Sequence, residues 1–360
     1  MIHRREFFAL AASAANAEWR NRQSGMTYRK LGRTNFMVSE IVMGGNAISP
    51  TKWEHILAAL DMGLNYLDTA PAYGRGASEA GYAKVIKARP RDSFFLNSKV
   101  SLFGGNRSKL YRDIFESLSS SDQARIRKAA RQEVERRQAD APDYFVGYFQ
   151  GQESQLEWAP IANVMEREYG GKIDREKNYK RLVLESVDQS LSRLGTDHLD
   201  LLTCPHGANT PHEVTGYPEM FEAFEQLKKA GKVRHLSVSA HTDPAGVLEA
   251  AVKTGVYSAA MIAYNIVNHR YVDAAIEKAK QNDVGVISMK TARPVFSGRE
   301  SRPEKPEHAR LIEEAVPGPW KRPQKAYLWN LRNKNLSAVI SEMMDLAMVK
   351  DNVPLAGQKG

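Results

Sequence analysis

The feature that most constrains this chain is a regular alternation of short apolar strands with amphipathic helices. Strand-like runs begin at Glu40, Asn65, Phe94, Leu199, Val233, Ala259, Val284 and Leu336. Between them lie segments whose apolar residues recur three and four apart, among them TKWEHILAALDMG, SEAGYAKVIKA, YPEMFEAFEQLKKAG and YVDAAIEKAKQND. That spacing predicts helices, and the glycines that close several of them suit a helix end. Strands that alternate with helices pair in parallel, because a parallel neighbour is reached only through a crossover. Eight such units predict closure into a (β/α)8 TIM barrel. The alternative is an open doubly wound sheet. It calls for a G-x-G-x-x-G turn after the first strand, and MGGNAISP does not match that pattern.

The chain has 360 residues, more than the ~250 typical of a barrel. The surplus lies in three places. Residues 1–25 read as a leader. Arg4-Arg5 precede the apolar run Phe7 to Ala15 and the small-x-small site Ala15-Asn16-Ala17, the order of a twin-arginine export signal. This predicts a periplasmic or exported protein; the alternative is a cytoplasmic protein with an amphipathic N-terminus. Next, YRKLGRTNFMVS reads as a hairpin, with turn residues Gly32 to Asn35 between apolar runs. Finally, residues 102–177 are polar and charged, too long for an ordinary βα loop, and read as an insertion after strand three. A helix is predicted there over SSDQARIRKAARQEVERRQ, ahead of an aromatic-rich patch, PDYFVGYFQG. The barrel proper is placed at 26–354, with 355–360 as a tail.

Composition removes several function classes. The formal charge is +9, but the cations are dispersed and no aromatic-interleaved basic stripe appears. This argues for a solvated surface and against nucleic-acid binding. The single cysteine, Cys204, excludes an internal disulfide and any four-cysteine zinc or iron–sulfur site. No apolar run is long enough to cross a membrane.

In barrels of this kind the catalytic groups sit at the C-terminal ends of the strands. Asp68 ends strand two, Tyr73 lies in the loop after it, Lys99 ends strand three and His206 follows strand four. Ser239 and His241 follow strand five, Asn265 ends strand six and Lys290 ends strand seven. Each alone has an ordinary explanation: an Asp caps helices, a Lys is solvated, a Tyr packs and a His is structural. Their convergence on one rim is what points to chemistry. A metal-dependent hydrolase using Asp68, His206 and His241 is one alternative; the leading reading has no metal.

At these residues the chain resembles the aldo/keto reductase family. NYLDTAPAYGRGASE resembles the family's Asp-Thr-Ala, Tyr-Gly, Glu signature. YRKLGRTNFMVSEIVMGG resembles its barrel-sealing hairpin and first strand, LNSKV its lysine strand, and SLSRLGTDHLDLL its fourth-strand segment. SAHTD and AYN resemble later strand ends, and SAVISEMMDLAMVKDNV the closing cofactor segment. The resemblance covers about 28–101 and 179–353. It implies a tetrad of Asp68, Tyr73, Lys99 and His206 that reduces a small-molecule carbonyl with a nicotinamide dinucleotide. Tyr73 would give the proton, Lys99 would lower the phenol's pKa from its ordinary ~10, Asp68 would hold Lys99, and His206 would orient the substrate oxygen. Ser239, Asn265, Lys290, Ser341, Glu342 and Asn352 would hold the cofactor, NADP first and NAD as alternative.

The sequence departs from the family pattern at several points. His206 lies one residue beyond the family's usual position, which is Pro205 here. Met261 stands where many members have a glutamine. In the closing segment Glu342 and Met348 replace a lysine and an arginine, so Arg293, Arg299 or Lys350 would have to supply charge. The ending resembles members that carry a C-terminal iron–sulfur module, whose cysteines this chain lacks. These departures motivate the alternative of a catalytically weak, nicotinamide-binding sensor or subunit.

Overall fold

The computed structural model describes residues 17–296 and 305–358. Arg4, Arg5 and Arg299 lie outside them. Among the described residues ten strands are formed: β1 (Tyr28–Lys30) and β2 (Met37–Ser39), then β3 (Ile41–Met43), β4 (Tyr66–Asp68), β5 (Phe95–Lys99), β6 (Leu199–Thr203), β7 (Val233–Ala240), β8 (Ala259–Ala263), β9 (Gly285–Met289) and β10 (Ala338–Ser341). The last eight run parallel and close into a barrel, β10 pairing with both β3 and β9. Each begins within two residues of its sequence-predicted start. The agreement has a simple cause: strands covered on the outside by helices and filled on the inside by side chains are apolar on both faces.

The pleat sorts the side chains. Val42, Tyr66, Phe95, Leu201, Met261 and Ile287 join one cluster inside the barrel, together with Leu31, Phe36 and Val38 of the hairpin. Phe36 stacks on Phe95 with ring centroids 4.1 Å apart, so the β1–β2 hairpin plugs the barrel floor. The fit is close: a Cβ on Gly32 would stand 2.1 Å from the Gly285 amide nitrogen, and its φ of +52° also favours glycine. Residues of the opposite phase, among them Ile41, Leu67, Leu96, Leu202 and Val286, pack outward against the helices.

Glu18 to Gly25, read from sequence as part of the leader, run along this same floor. The Glu18 amide donates to Asn35 O (2.8 Å), Arg20 Nη1 to Phe94 O (2.7 Å) and Asn21 Nδ2 to Leu64 O (3.0 Å). Glu18 also forms an ion pair with Arg234 (2.6 Å), and Arg20 with the buried Asp200 (3.1 Å).

The insertion holds three long helices, Leu102–Glu116, Ser120–Arg137 and Gln152–Tyr169, where the sequence predicted one. The missed pair carry helix-breaking residues: Gly104-Gly105 in the first and Pro160 in the third. Tertiary packing overrides them, since Tyr111, Phe115, Ile126, Ala130, Ile161 and Met165 form a separate small core. The fully buried Arg107 ties this unit to the barrel. It donates to Asn163 Oδ1 (2.5 Å) and to the Tyr217 hydroxyl, with Glu166 (3.4 Å) and Glu213 (3.6 Å) as counter-charges. A buried guanidinium survives only with such partners.

Candidate active site

The pleat that turns Tyr66 and Phe95 into the barrel carries Asp68, two residues on, and Lys99, four residues on, to the same inner face nearer the strand ends. There they meet. Lys99 Nζ donates to both Asp68 oxygens at 2.6 Å and to Thr69 O at 2.7 Å. Asn97 Nδ2 donates to Asp68 Oδ1 at 2.7 Å, and the Thr203 hydroxyl in turn donates to Asn97 Oδ1 at 3.0 Å. Both charged groups are almost wholly buried. Burial pushes the Asp68 pKa up and the Lys99 pKa down, and the opposite charge of each opposes that shift in the other.

Tyr73 follows β4 in a tight turn. Gly74, Arg75 and Gly76 all have positive φ (57°, 54° and 91°), a left-handed path that suits the two glycines and that Arg75 between them also takes. The turn leaves the Tyr73 ring 4.8 Å from Lys99 Nζ, with its centroid 5.8 Å from that of His206. Asp68, Tyr73, Lys99 and His206 therefore come together at one point of the rim. His206 does so although it stands one residue past the expected position; the Cys204–Pro205 peptide before it is cis.

The sequence expectation for the phenol's pKa is reversed. Burial first, then the carboxylates of Asp68 and Glu342, hold it well above 10. The reason is geometric. The Lys99 charge lies against the Asp68 carboxylate, so the pair presents little net positive field to the ring. Burial, Lys99, His241 and Lys290 hold His206 well below the usual imidazole pKa. His241, part-buried and facing Lys290, is pushed down to about 3. Both rings are therefore neutral at pH 7.

The residues expected to hold a cofactor divide. Ser239, Asn265 and Lys290 follow the tetrad around the rim: Ser239 on β7, Asn265 just beyond β8 and Lys290 just beyond β9. Ser239 Oγ accepts from the Gly207 amide (2.9 Å). Asn265 Oδ1 accepts from the Val267 and Asn268 amides, and its Nδ2 donates to the Tyr148 hydroxyl (2.8 Å). Ser341 and Asn352 are buried and bonded to each other (3.1 Å). Glu342 is exposed at the end of β10, 3.4 Å from Asn46 Nδ2. Close by, Asp345 caps the helix Leu346–Asn352 by accepting from the Met348 amide (2.9 Å). Met261 lies in the barrel core.

Three residues at the site escaped sequence reasoning. Tyr148 and Phe149 come from the insertion's aromatic patch and reach across the barrel mouth. Tyr148 meets Asn265, and its carbonyl accepts from Arg293 Nε (3.3 Å). The Phe149 ring lies edge-on to His241 (centroids 5.4 Å) and 5.8 Å from Lys290 Nζ. The patch itself was visible in the sequence; its target was not, because the fold alone sets that contact. The third is Ser101, whose hydroxyl lies 2.8 Å from His206 Nδ1. No signal but its place after the lysine strand marked it. The hydrolase alternative loses its carboxylate, since Asp68 is bound to Lys99 and Asn97. Among the described residues no group of three or more His, Cys, Asp or Glu is placed to hold a metal, and no helix is long and apolar enough to cross a membrane.

A closed eight-stranded parallel barrel with these groups at the strand ends defines a (β/α)8 enzyme scaffold. The sequence profile of the aldo/keto reductase family matches residues 40–148 and 171–344, and the chain belongs to that family. The unmatched stretch falls on the Gln152–Tyr169 helix of the insertion. The chain is 33% identical over 224 residues to the aldo-keto reductase YhdN of Bacillus subtilis, an alignment spanning 59% of this chain and 47% of that one. The uncharacterized oxidoreductase YqkF of Bacillus subtilis is 22% identical over 93% of this chain and 92% of its own. Among solved structures, an aldo-keto reductase from Bacillus halodurans superposes with a TM-score of 0.61 at 22% identity, covering 92% of this chain and 91% of that one. An aldo/keto reductase from Klebsiella pneumoniae, in complex with NADP and acetate, gives 0.57 at 18%, covering 92% and 90%.

Proposed function

We propose that this protein is an NAD(P)H-dependent reductase of aldehydes or ketones, with Tyr73 as the general acid. The observation that carries the reading is the junction of the buried Lys99–Asp68 pair, the Tyr73 ring and His206 at one rim. Bound nicotinamide supplies a hydride; the residues here supply the rest. The substrate oxygen, as it gains negative charge, needs a proton and a donor to orient it. Tyr73 carries its proton at all ordinary pH, and its high pKa favours the neutral acid until an oxyanion stronger as a base develops. Lys99 lies 4.8 Å from the ring, and its charge, largely offset by Asp68, gives the phenolate that remains only a partial stabilisation; Asn97 and Thr203 hold Asp68, which keeps Lys99 in place. His206 is neutral and donates one hydrogen bond.

The residues fit a nicotinamide dinucleotide. Lys290 and Arg293, cations beyond β9, would meet its phosphates. Glu342 and Asn46 would meet ribose hydroxyls. NADP is the family expectation. The carboxylates of Glu342 and Asp345 favour NAD instead, since a 2′-phosphate beside them meets like charge. Assays with NADPH and NADH over a panel of aldehydes and ketones test the function; absence of turnover with either would reject it.

The second reading, a nicotinamide-binding sensor with weak turnover, is favoured by the commitment of Asn265 to Tyr148 and its own turn. It predicts tight cofactor binding without carbonyl reduction.

The leader reading extends to location. We infer export by the twin-arginine route, with cleavage after Ala17. Support comes from Glu18, the residue that would become the new N-terminus. It sits on the barrel floor, and a terminal amino group could still donate to Asn35 O. Cell fractionation of the parent and an Arg4→Lys/Arg5→Lys variant tests this. Retention of both in the cytoplasm, with residues 1–17 intact, would reject it.

A further inference from the structure

Ser101 begins the helix Leu102–Glu116. Serine at this position ordinarily turns its hydroxyl onto the first free amides of its helix. Here it does not: the backbone is already helical (φ −76°, ψ −22°), no side-chain cap bond forms, and Oγ instead lies 2.8 Å from His206 Nδ1. We propose that Ser101 is a positioning residue whose hydroxyl donates to Nδ1 of His206 and so holds the ring as the Nε2–H tautomer.

The inference rests on the reductase reading for its purpose, though not for its geometry. A neutral imidazole carries one proton, and the nitrogen that bears it is set by the hydrogen bond at the other. Burial and the charges of Lys99, His241 and Lys290 favour a neutral His206, and the Tyr73 ring edge-on to it is a neutral phenol. With Ser101 donating to Nδ1, Nε2 bears the hydrogen and can donate to a carbonyl oxygen. In the other tautomer Nε2 presents a lone pair to that oxygen, which repels it. The serine also opens the insertion, so the segment that crosses the barrel mouth begins at the residue that sets this proton.

The test uses full-length protein with 15N-labelled histidine, saturated with NADPH or NADH. The His206 resonances are assigned by their loss in His206→Gln. The parent should show the Nε2–H form. Ser101→Ala should show a mixture of tautomers, and Ser101→Thr, which keeps the hydroxyl, should restore the parent pattern. In turnover, kcat of Ser101→Ala should fall about tenfold with KM little changed, below the ~10²–10³-fold cost of removing an oxyanion donor outright. A purely structural role for Ser101 would move the melting temperature and leave the tautomer alone. The Nδ1–H form in the parent, or an unchanged tautomer in Ser101→Ala, would overturn the proposal. A parent without turnover would defeat the reductase reading, while the tautomer spectra would still decide this one.

Discussion

Two arcs of the barrel rim behave differently. Along β4–β6 the polar side chains point at one another and at a common space: Lys99 at Asp68, Tyr73 beside both, His206 edge-on to Tyr73. Along β7–β10 they are held by loops and by the insertion: Ser239 by the Gly207 amide, Asn265 by Tyr148 and its own turn, Ser341 by Asn352. In the first arc the polar groups face a shared space; in the second Ser239, Asn265 and Ser341 are spent on the fold, while Lys290 and Glu342 stand at the strand ends beyond them. The difference teaches that polar residues at strand ends are not equivalent. Position places them on the rim, and only their partners say whether the side chain serves a reaction or the fold.

Changes in the first arc should therefore hurt most. Lys99→Met leaves the buried Asp68 carboxylate without its cation. A broken buried pair costs about 3–5 kcal/mol, so urea unfolding should shift strongly and turnover should vanish. Asp68→Asn/Lys99→Met together should recover much of the stability and none of the activity. Equal damage from Lys99→Met and from removal of an exposed lysine such as Lys30 would erase the contrast between the arcs.

His241 sharpens the comparison through pH. Folded, it stays neutral down to about pH 3, whereas in the unfolded chain an imidazole takes up its proton near 6.5. As pH falls below 6.5 the unfolded state binds the extra proton, so stability declines from there toward pH 3. The loss between pH 7 and pH 5 should be about 1–2 kcal/mol, and His241→Gln should remove that part of the slope in urea titrations. A slope unchanged in His241→Gln would show the ring to be solvated in the folded state.

Glu342→Lys should raise the ratio of NADPH to NADH affinity by about tenfold, roughly 1.4 kcal/mol, if the exposed end of β10 faces the ribose. An unchanged ratio in fluorescence titrations would remove Glu342 from the cofactor site. The smallest effect belongs to Tyr148→Phe. It deletes one hydrogen bond to Asn265, worth about 1 kcal/mol, and should loosen the insertion with little change in kcat.

The sequence was legible where period and spacing decide the outcome. The starts of the eight strands were read within two residues because each opens a short, largely apolar run between helical segments. Asp68 and Lys99 were placed on one rim because each ends its strand, and barrel chemistry gathers at the strands' C-terminal ends. It was not legible where tertiary contact decides. The helices Leu102–Glu116 and Gln152–Tyr169 carry glycine and proline, and only their mutual packing makes them helical. The direction of the Tyr73 pKa depends on which neighbour takes the Lys99 charge. Tyr148, Phe149 and Ser101 reach the site through folding of a segment with no repeat to follow.

The central claim is that Tyr73 delivers the proton at the end of β4. Single-turnover reduction of an aldehyde by parent and Tyr73→Phe, each saturated with NADPH and separately with NADH, tests it most directly. The account predicts a fall of about 10²–10⁴-fold in the chemical step, with cofactor affinity nearly unchanged and the fold intact by circular dichroism. A Tyr73→Phe protein that reduces the aldehyde as fast as the parent would contradict it.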